Sequence, residues 1–419
     1  MRSPRPLISS VRWGLLNAAF GGSGSVDARL FWLALGGFAG SAEGSLIGSL
    51  LPAISNDTGV TVGQAGQLVF GYAIAYGVGT PILSTIFGAV DRRRLLAGAE
   101  LAFACCALLI AFAPAFSWIL TARIVLALGA GLYTATALST AAAISPVQSR
   151  GRAIGIVVAG QSLALLAGAP AGAFIAEAFG WRAVYGVIAA IGLCAATALA
   201  LRLPSGLSGD QRTLVERIGV LTVPGVGLAL LTTILFQIAG FLPLIYVAPL
   251  ALQSAGLGRG ALPMVLLANG LGAVAGSAFG GRFSDRMGPR RAIILSLAAE
   301  VLVLLAFALV PLLPLGLASV AFLVVMALTG LIGWGSWPAQ SSRLADLAPQ
   351  SVPLALALNL TALNIGVALA ATIGGSTVDR IGAEYIAPIA LPFVLAALMA
   401  AHSNRHDPRI ARAARAVRR

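Results

Sequence analysis

Residues 280–291 read GGRFSDRMGPRR, and residues 87–96 read FGAVDRRRLL. Each is a short polar stretch between two long apolar runs, and each joins a Gly, an Asp and a run of Arg. In the later copy Gly281 and Gly288 permit a tight turn and close helix approach. Gly88 stands in the matching region of the earlier one. Asp285 is placed to cap the next helix or to pair with an arginine of a neighbouring loop; Asp91 is its counterpart, and Arg286 and Arg92 follow them directly. Two copies at equivalent places in the two halves of a chain indicate an internal repeat.

Working outward, apolar runs at 64–88 and 95–114 flank the first copy, and runs at 261–281 and 291–311 flank the second. Eight more lie at 30–53, 118–143, 153–177, 182–202, 220–250, 315–340, 353–377 and 384–402, with Pro224 and Pro243 interrupting the seventh in chain order. They are long and lack alternation at period two, so they predict helices and not strands. Composition agrees: 58% of the 419 residues are hydrophobic and 10% charged, with a mean hydropathy of +0.94. A soluble domain carries about 25% charged residues, so this chain has too few to cover a water-facing surface. A bilayer-crossing helix takes about 20 residues, and twelve spans with their loops account for the length. The expected fold class is an all-α membrane protein with about twelve transmembrane helices in two pseudo-symmetric six-helix bundles.

All 27 basic residues are Arg, against 14 acids. If residue 1 lies in the cytoplasm, 23 arginines fall in inner segments and only Arg182, Arg259 and Arg380 in outer ones; Arg123 lies inside a span. The positive-inside rule therefore places both termini in the cytoplasm. The loop 203–217, LPSGLSGDQRTLVER, divides the chain. The expected organisation is a tail at 1–28, a first bundle at 29–203, a linker at 204–217, a second bundle at 218–402 and a basic tail at 403–419. Residues 1–28 have too weak an apolar core for a signal peptide. Trp118 and Trp181 fall where outer helix ends meet lipid headgroups.

The same inventory excludes other classes. The arginines sit between apolar runs and not on a soluble face, which argues against nucleic acid. Cys105, Cys106 and Cys194 lie in apolar runs, and His402 and His406 stand near the C-terminus, so neither a metal centre nor a Ser-His-Asp site has parts to build from. The interior loops are too short to hold an enzyme domain. No cofactor is expected.

On these motifs the sequence resembles the major facilitator superfamily, whose inner loops between spans 2–3 and 8–9 carry G-x-x-x-D-R-x-G-R-R. Gly281, Asp285, Arg286, Gly288, Arg290 and Arg291 match, with Pro289 where a basic residue is usual; the first copy is shortened to Gly88-Ala-Val-Asp91-Arg92-Arg93-Arg94. The fourth span, LTARIVLALGAGLYTATAL, resembles the family's R-x-x-x-G-x-G pattern through Arg123, Gly129 and Gly131. The fifth, GQSLALLAGAPAGAF, is similar to the Gly/Pro-rich motif of drug:proton antiporters through Gly160, Gly168, Pro170 and Gly172. The first, FAGSAEGSLIGSLLPAI, resembles the arabinose, purine and chloramphenicol exporters, with Ala42 in place of an Asp and Glu43 retained. The resemblance implies the major facilitator fold, alternating access, and gating roles for both loop motifs and for Gly168, Pro170 and Gly172.

Four ionisable residues lie at bilayer depth, where each needs a partner or a role: Glu43, Glu100, Arg123 and Glu300. At 1.5 Å per residue Glu43 lies about 21 Å from the inner end of its span, and Arg123 about 8 Å in from the outer face. The resemblance places spans 1 and 4 beside the central cavity, where Glu43 and Arg123 would pair and couple to protons; a static pair fixing helix packing is the other reading. Glu100, about 9 Å deep, can reach back toward Arg93 or Arg94. Glu300, about 13.5 Å deep, lies near the midplane on span 9, which the resemblance places at the periphery and away from the cavity. Substrate-binding candidates are Gln64, Tyr72, Tyr76, Gln161, Gln237, Asn269, Trp334, Trp337, Asn359 and Asn364. Each also reads as an interhelical hydrogen bond or packing group. Together they suit a neutral, moderately hydrophobic solute.

The functional expectation is a secondary active transporter in the bacterial inner membrane: proton-coupled efflux of a small organic molecule, drug, sugar or nucleoside-like. The alternative is an importer or uncoupled facilitator on the same fold. The expected partners are the small-molecule substrate, protons and membrane lipid, for a monomer driven by the proton gradient.

Overall fold

The computed structural model describes residues 27–207 and 219–403. The expected tails, apart from Asp27, Ala28 and Ser403, and the linker beyond Leu207 lie outside the described residues. Among the described residues the regular structure is helical throughout, and twelve helices are long and apolar enough to cross a membrane. We number them α1 (Ala28–Thr58), α2 (Val62–Ile86), α3 (Arg92–Ala111), α4 (Phe116–Ala143), α5 (Arg150–Phe179) and α6 (Trp181–Arg202). The second set is α7 (Val226–Ile245), α8 (Arg259–Met287), α9 (Pro289–Leu312), α10 (Leu315–Leu347), α11 (Val352–Arg380) and α12 (Ala383–Ser403).

The seventh apolar run departs from a single helix. It opens with a 3-10 turn at Val220–Thr222, forms α7, and then bends at Tyr246 into a short helix, Val247–Ala255. Pro249 has no N–H to offer the carbonyl four residues back, that of Ile245, so the ladder breaks there. The freed carbonyls of Leu244 and Ile245 face Gly48 of α1, where any side chain would collide with them. In α5 the segment Ala164–Gly168 widens to a π turn just ahead of Pro170, an adjustment that accommodates a residue without a donor.

Packing repeats between the halves. In the first half α2 and α3 pack on α4, α3 on α6, and α1 on α5 and α6. In the second, α8 and α9 pack on α10, α9 on α12, and α7 on α11 and α12. The halves meet chiefly along α2 with α11 and α5 with α8. Outward-facing side chains such as Phe112, Leu302, Leu309 and Leu312 are exposed, which fits acyl chains and not water.

The loops after α2, α4, α6, α8 and α10 share one end of the bundle, here the arginine-rich face. The opposite end is sealed between the halves. The Thr61 hydroxyl donates to Asp379 Oδ2 at 2.6 Å, and the Gly63 N–H donates to Asp379 Oδ1 at 2.9 Å. An acid at the end of α11 thus caps the start of α2.

Candidate functional site

A buried ion pair joins two helices of the first half, and a tyrosine from a third completes it. Arg123 Nη2 of α4 lies 3.1 Å from Glu43 Oε1 of α1, and the two side chains are 1% and 0% exposed. Tyr185 of α6 donates its hydroxyl to the same Glu43 oxygen at 3.2 Å and accepts from Arg123 Nη1 at 3.1 Å. Glu43 Oε2 and Arg123 Nε are buried without a hydrogen-bond partner. The Arg123 guanidinium also lies over the Tyr72 ring, 5.2 Å from its centroid, a favourable cation–π placement. Tyr72 and Tyr76 stack at 5.9 Å and 18°, one turn apart on α2. A buried ion pair is stable only if its remaining valences are met; here one carboxylate oxygen is left over, so the triad can take up a proton without first losing a hydrogen bond.

Depth arithmetic placed Glu43 and Arg123 near each other. It did not yield Tyr185, although a signal was present. Arg123 stands five residues after Trp118 and Tyr185 four after Trp181, so both side chains enter from the same face to about the same depth. Trp181 itself corrects an expectation. Trp118 is exposed, but Trp181 is buried, under Arg182 at 4.4 Å and edge-on to Tyr185. Arg182 also pairs with Asp57 of α1, which holds this end of α6 against α1.

The polar candidates divide by environment. Gln64 accepts from the Thr61 N–H at 2.9 Å in a capping box that starts α2. That places it in the seal and away from the Tyr72–Tyr76 stack. Asn269 donates to the Met326 carbonyl at 3.2 Å, tying α8 to α10. Asn359 accepts from Thr233, whose hydroxyl accepts in turn from Gln340, a buried network joining α7, α10 and α11. Gln161 packs on Gly37 of α1, and Gln237 on Gly366 of α11; both are half-buried. Asn364 bonds its own helix and packs on Gly77 of α2, where the Thr361 hydroxyl donates to the Gly77 carbonyl across the halves. Trp334 and Trp337 of α10 are 41% and 36% exposed.

Below the Tyr72–Tyr76 stack a cavity of about 250 Å³ runs between α2, α4 and α11 toward the arginine-rich face, lined by Gly77, Thr80, Ser84, Thr136 and Thr361, with Gly88 and Arg92 at its mouth. Arg92 Nη1 donates to the Ser139 carbonyl at 3.0 Å. Gly168 and Gly172 face Phe38, Ala42 and Leu46 of α1, so with Pro170 they shape the α1–α5 contact inside one half.

The two loop motifs are built differently. Asp91 caps α3 through the N–H groups of Arg93 and Arg94, and accepts from the Gly206 N–H at the start of the linker. Desolvation alone would raise its carboxyl, but the N–H groups of Gly206, Arg94, Arg93 and Leu207 outweigh that and hold it below the ordinary value. The resulting stabilisation is complete above the ordinary carboxylate range and is lost as pH falls through the depressed value. Asp91→Ala is expected to cost about 1 kcal/mol of stability and to expose the 203–207 segment to protease. Cleavage there at the wild-type rate would count against the anchor.

In the later copy Asp285 caps nothing: α8 continues through it to Met287, and α9 starts at Gly288 with no side-chain cap. Three extra residues, Met287-Gly288-Pro289, supply the turn instead, with Gly288 at φ 83° and Pro289 at the first helical position. Asp285 and Arg286 are exposed, and a side chain at Gly281 would meet open space; its neighbour Gly280 makes the close approach, to Gly335. Glu100 does not reach Arg93 or Arg94. It is buried against Gly192 of α6 with Oε1 unpartnered, because its face of α3 is the one that packs on α6.

Comparison with known proteins agrees with this architecture. The family model described as Major Facilitator Superfamily matches residues 33–317 and 229–417. The chain is 29% identical to the MFS-type transporter YbcL of Bacillus subtilis, over 89% of this chain and 94% of that one. It is 32% identical to a chloramphenicol resistance protein of Streptomyces lividans, over 82% and 88%. Its fold is similar to the crystal structure of a bacterial homolog of the human lysosomal transporter Spinster, inward-facing and occupied, with a TM-score of 0.72, 17% identity, and coverage of 92% of this chain and 99% of that one. Motifs, paired bundles and sequence similarity converge: this chain is a multi-pass membrane transporter that belongs to the Major Facilitator Superfamily.

Proposed function

We propose that this chain exports a small, moderately hydrophobic organic molecule from the bacterial cytoplasm across the inner membrane, in exchange for protons, as a monomer without an organic cofactor. The observation that carries the reading is the buried Glu43–Arg123–Tyr185 triad, with one carboxylate oxygen unpartnered and the Tyr72 ring against its guanidinium. A proton on Glu43 weakens its hold on Arg123. Arg123 then leans on Tyr185 and Tyr72, and Tyr72 shifts Tyr76, whose carbonyl accepts from Thr80 at the head of the cavity. Proton and substrate are thereby linked through the aromatic pair, as coupling requires.

Arginine bias supports a cytoplasmic arginine-rich face, and with it a conformer open inward and sealed outward. The cavity mixes hydroxyls with apolar groups such as Pro81, Leu95 and Leu360 and carries a single arginine, Arg92, already bonded to a carbonyl; it suits a neutral, moderately hydrophobic solute better than a polyanion. The similarity to a chloramphenicol resistance protein makes amphenicols the first compounds to try.

In inverted vesicles from an efflux-deficient host, chloramphenicol should accumulate under an imposed pH gradient, acid inside, and a protonophore should abolish the gain. Accumulation indifferent to the gradient would refute proton coupling, and accumulation in right-side-out vesicles alone would indicate uptake. The seal gives a second expectation. With the native cysteines replaced, spin labels at positions 56 and 381 should move apart in Asp379→Ala, because the cap joining α2 to α11 is gone. An unchanged distance distribution would show that the seal does not depend on Asp379.

A further inference from the structure

The internal two-fold aligns α1 with α7 through their ends. Pro52 precedes Gly59 by seven residues, as Pro249 precedes Gly256, and both glycines close a helix in the left-handed region, at φ 73° and 64°. Glu43 lies nine residues before Pro52; the residue nine before Pro249 is Gly240. The same counting from helix starts carries Arg123, eight past Ala115, to Phe322, eight past Pro314. It carries Tyr185, five past Gly180, to Ala387, five past Gly382. The second half therefore has Gly, Phe and Ala where the first has its charged triad.

A carboxyl reaches that place by another route. Glu300 of α9 is 1% exposed, and its Oε1 is the atom nearest to where a Gly240 side chain would begin, at 3.8 Å. That oxygen has no hydrogen-bond partner. Phe307, two turns on along the same face of α9, meets Phe322 edge-on at 5.5 Å, so this face looks into the site that mirrors the triad. Of the charged and titratable groups on the helices around it, Arg282, Asp285 and Arg286 on α8, Arg290 and Arg291 on α9, Arg343 and Asp346 on α10, and His402 on α12 stand at the arginine-rich end, and Arg259 on α8 and Glu384 and Tyr385 on α12 stand at the opposite end. Arg291 is nine residues away, about 13.5 Å along the helix. The helical part of α7 has no titratable side chain.

We propose that Glu300 is a second proton-binding site, the second half's counterpart of Glu43, delivered from α9 into space that Gly240 leaves open. This rests on the proton-coupled reading above. An ionised carboxylate at that depth would have no counter-charge, so the site holds its proton in the present conformer. It gives the proton up to water when movement of α7 against α9 opens the Gly240 side.

The test uses the purified full chain in lipid nanodiscs, titrated with alkali, with two readings. Infrared difference spectra follow the carbonyl band of protonated carboxylic acids, and a pH indicator counts protons released. Expected is a band that disappears on alkalinisation in the wild type, is absent in Glu300→Gln, and comes with the loss of one released proton per molecule in that variant. A Glu300-dependent band that persists unchanged at alkaline pH marks a static buried acid and overturns the proposal, as does a Glu300→Gln titration identical to wild type. Should Glu300→Gln not fold, Glu300→Asp keeps the carboxyl and should shift the band; an unshifted band overturns the assignment. A Glu43→Gln variant that releases as many protons as the wild type would instead strike the coupling reading and leave the Glu300 result untouched, so the two failures are distinguishable.

Discussion

Glu43→Gln is expected to reduce chloramphenicol accumulation driven by a pH gradient at least about tenfold, equivalent to about 1.4 kcal/mol of coupling, while the protein still folds. Removing one partner of a buried ion pair ordinarily costs about 3–5 kcal/mol, because the remaining charge is left uncompensated. Two features soften that cost. The amide oxygen of Gln can still accept from Tyr185 and Arg123, and Arg123 keeps the Tyr72 ring. The proposed cycle itself passes through a state in which Glu43 is protonated and Arg123 has lost its counter-charge, so the fold must tolerate that state. Glu43→Gln imitates it permanently. Exchange of labelled for unlabelled chloramphenicol should therefore survive while gradient-driven accumulation fails. Wild-type accumulation in the variant would remove Glu43 from the coupling mechanism.

Gly272→Leu and Gly270→Ala should fail in different ways although they lie two residues apart. A Cβ on Gly272 would collide with the Ala327 carbonyl and sit 2.9 Å from the Leu331 nitrogen, both backbone atoms of α10 in the same half. Neither can rotate aside, so Gly272→Leu must push α8 off α10. Overpacking of this kind costs about 1–3 kcal/mol or more, and the expected result is a lower melting temperature with loss of monodispersity in detergent. A Cβ on Gly270 would lie 2.5 Å from the Leu165 carbonyl oxygen and 3.0 Å from Leu166 Cα, on α5 in the other half. Gly270→Ala leaves each bundle intact and opposes only the present approach of α5 and α8. Its melting temperature should stay near wild type while transport falls. Unfolding by Gly270→Ala with tolerance of Gly272→Leu would reverse the assignment.

Nothing in the spacing of these two glycines says which of them faces the partner half. Depth along a helix is nearly one-dimensional, and so Glu43 and Arg123 could be matched by counting residues from each membrane face. Rotation about the helix axis is not one-dimensional. Gln64 shows the consequence: it lies on α2 with Tyr72 and Tyr76, yet it caps the helix start in the seal. Asp285 shows another, since its motif matches the family better than that of Asp91 but only Asp91 caps a helix. Three additional loop residues moved the turn to Gly288.

The sequence by itself determined that this chain crosses a membrane about twelve times, that its halves repeat, and which few charges lie at depth. Hydropathy, run length and arginine bias are properties of single segments and need no neighbour. Only the tertiary structure decided that Tyr185 completes the Glu43–Arg123 pair, that Glu100 turns inward to α6, and that Glu300 reaches the place opposite Gly240. Those outcomes depend on the rotation and register of helices far apart in the chain, which backbone packing at small residues fixes and no single segment records.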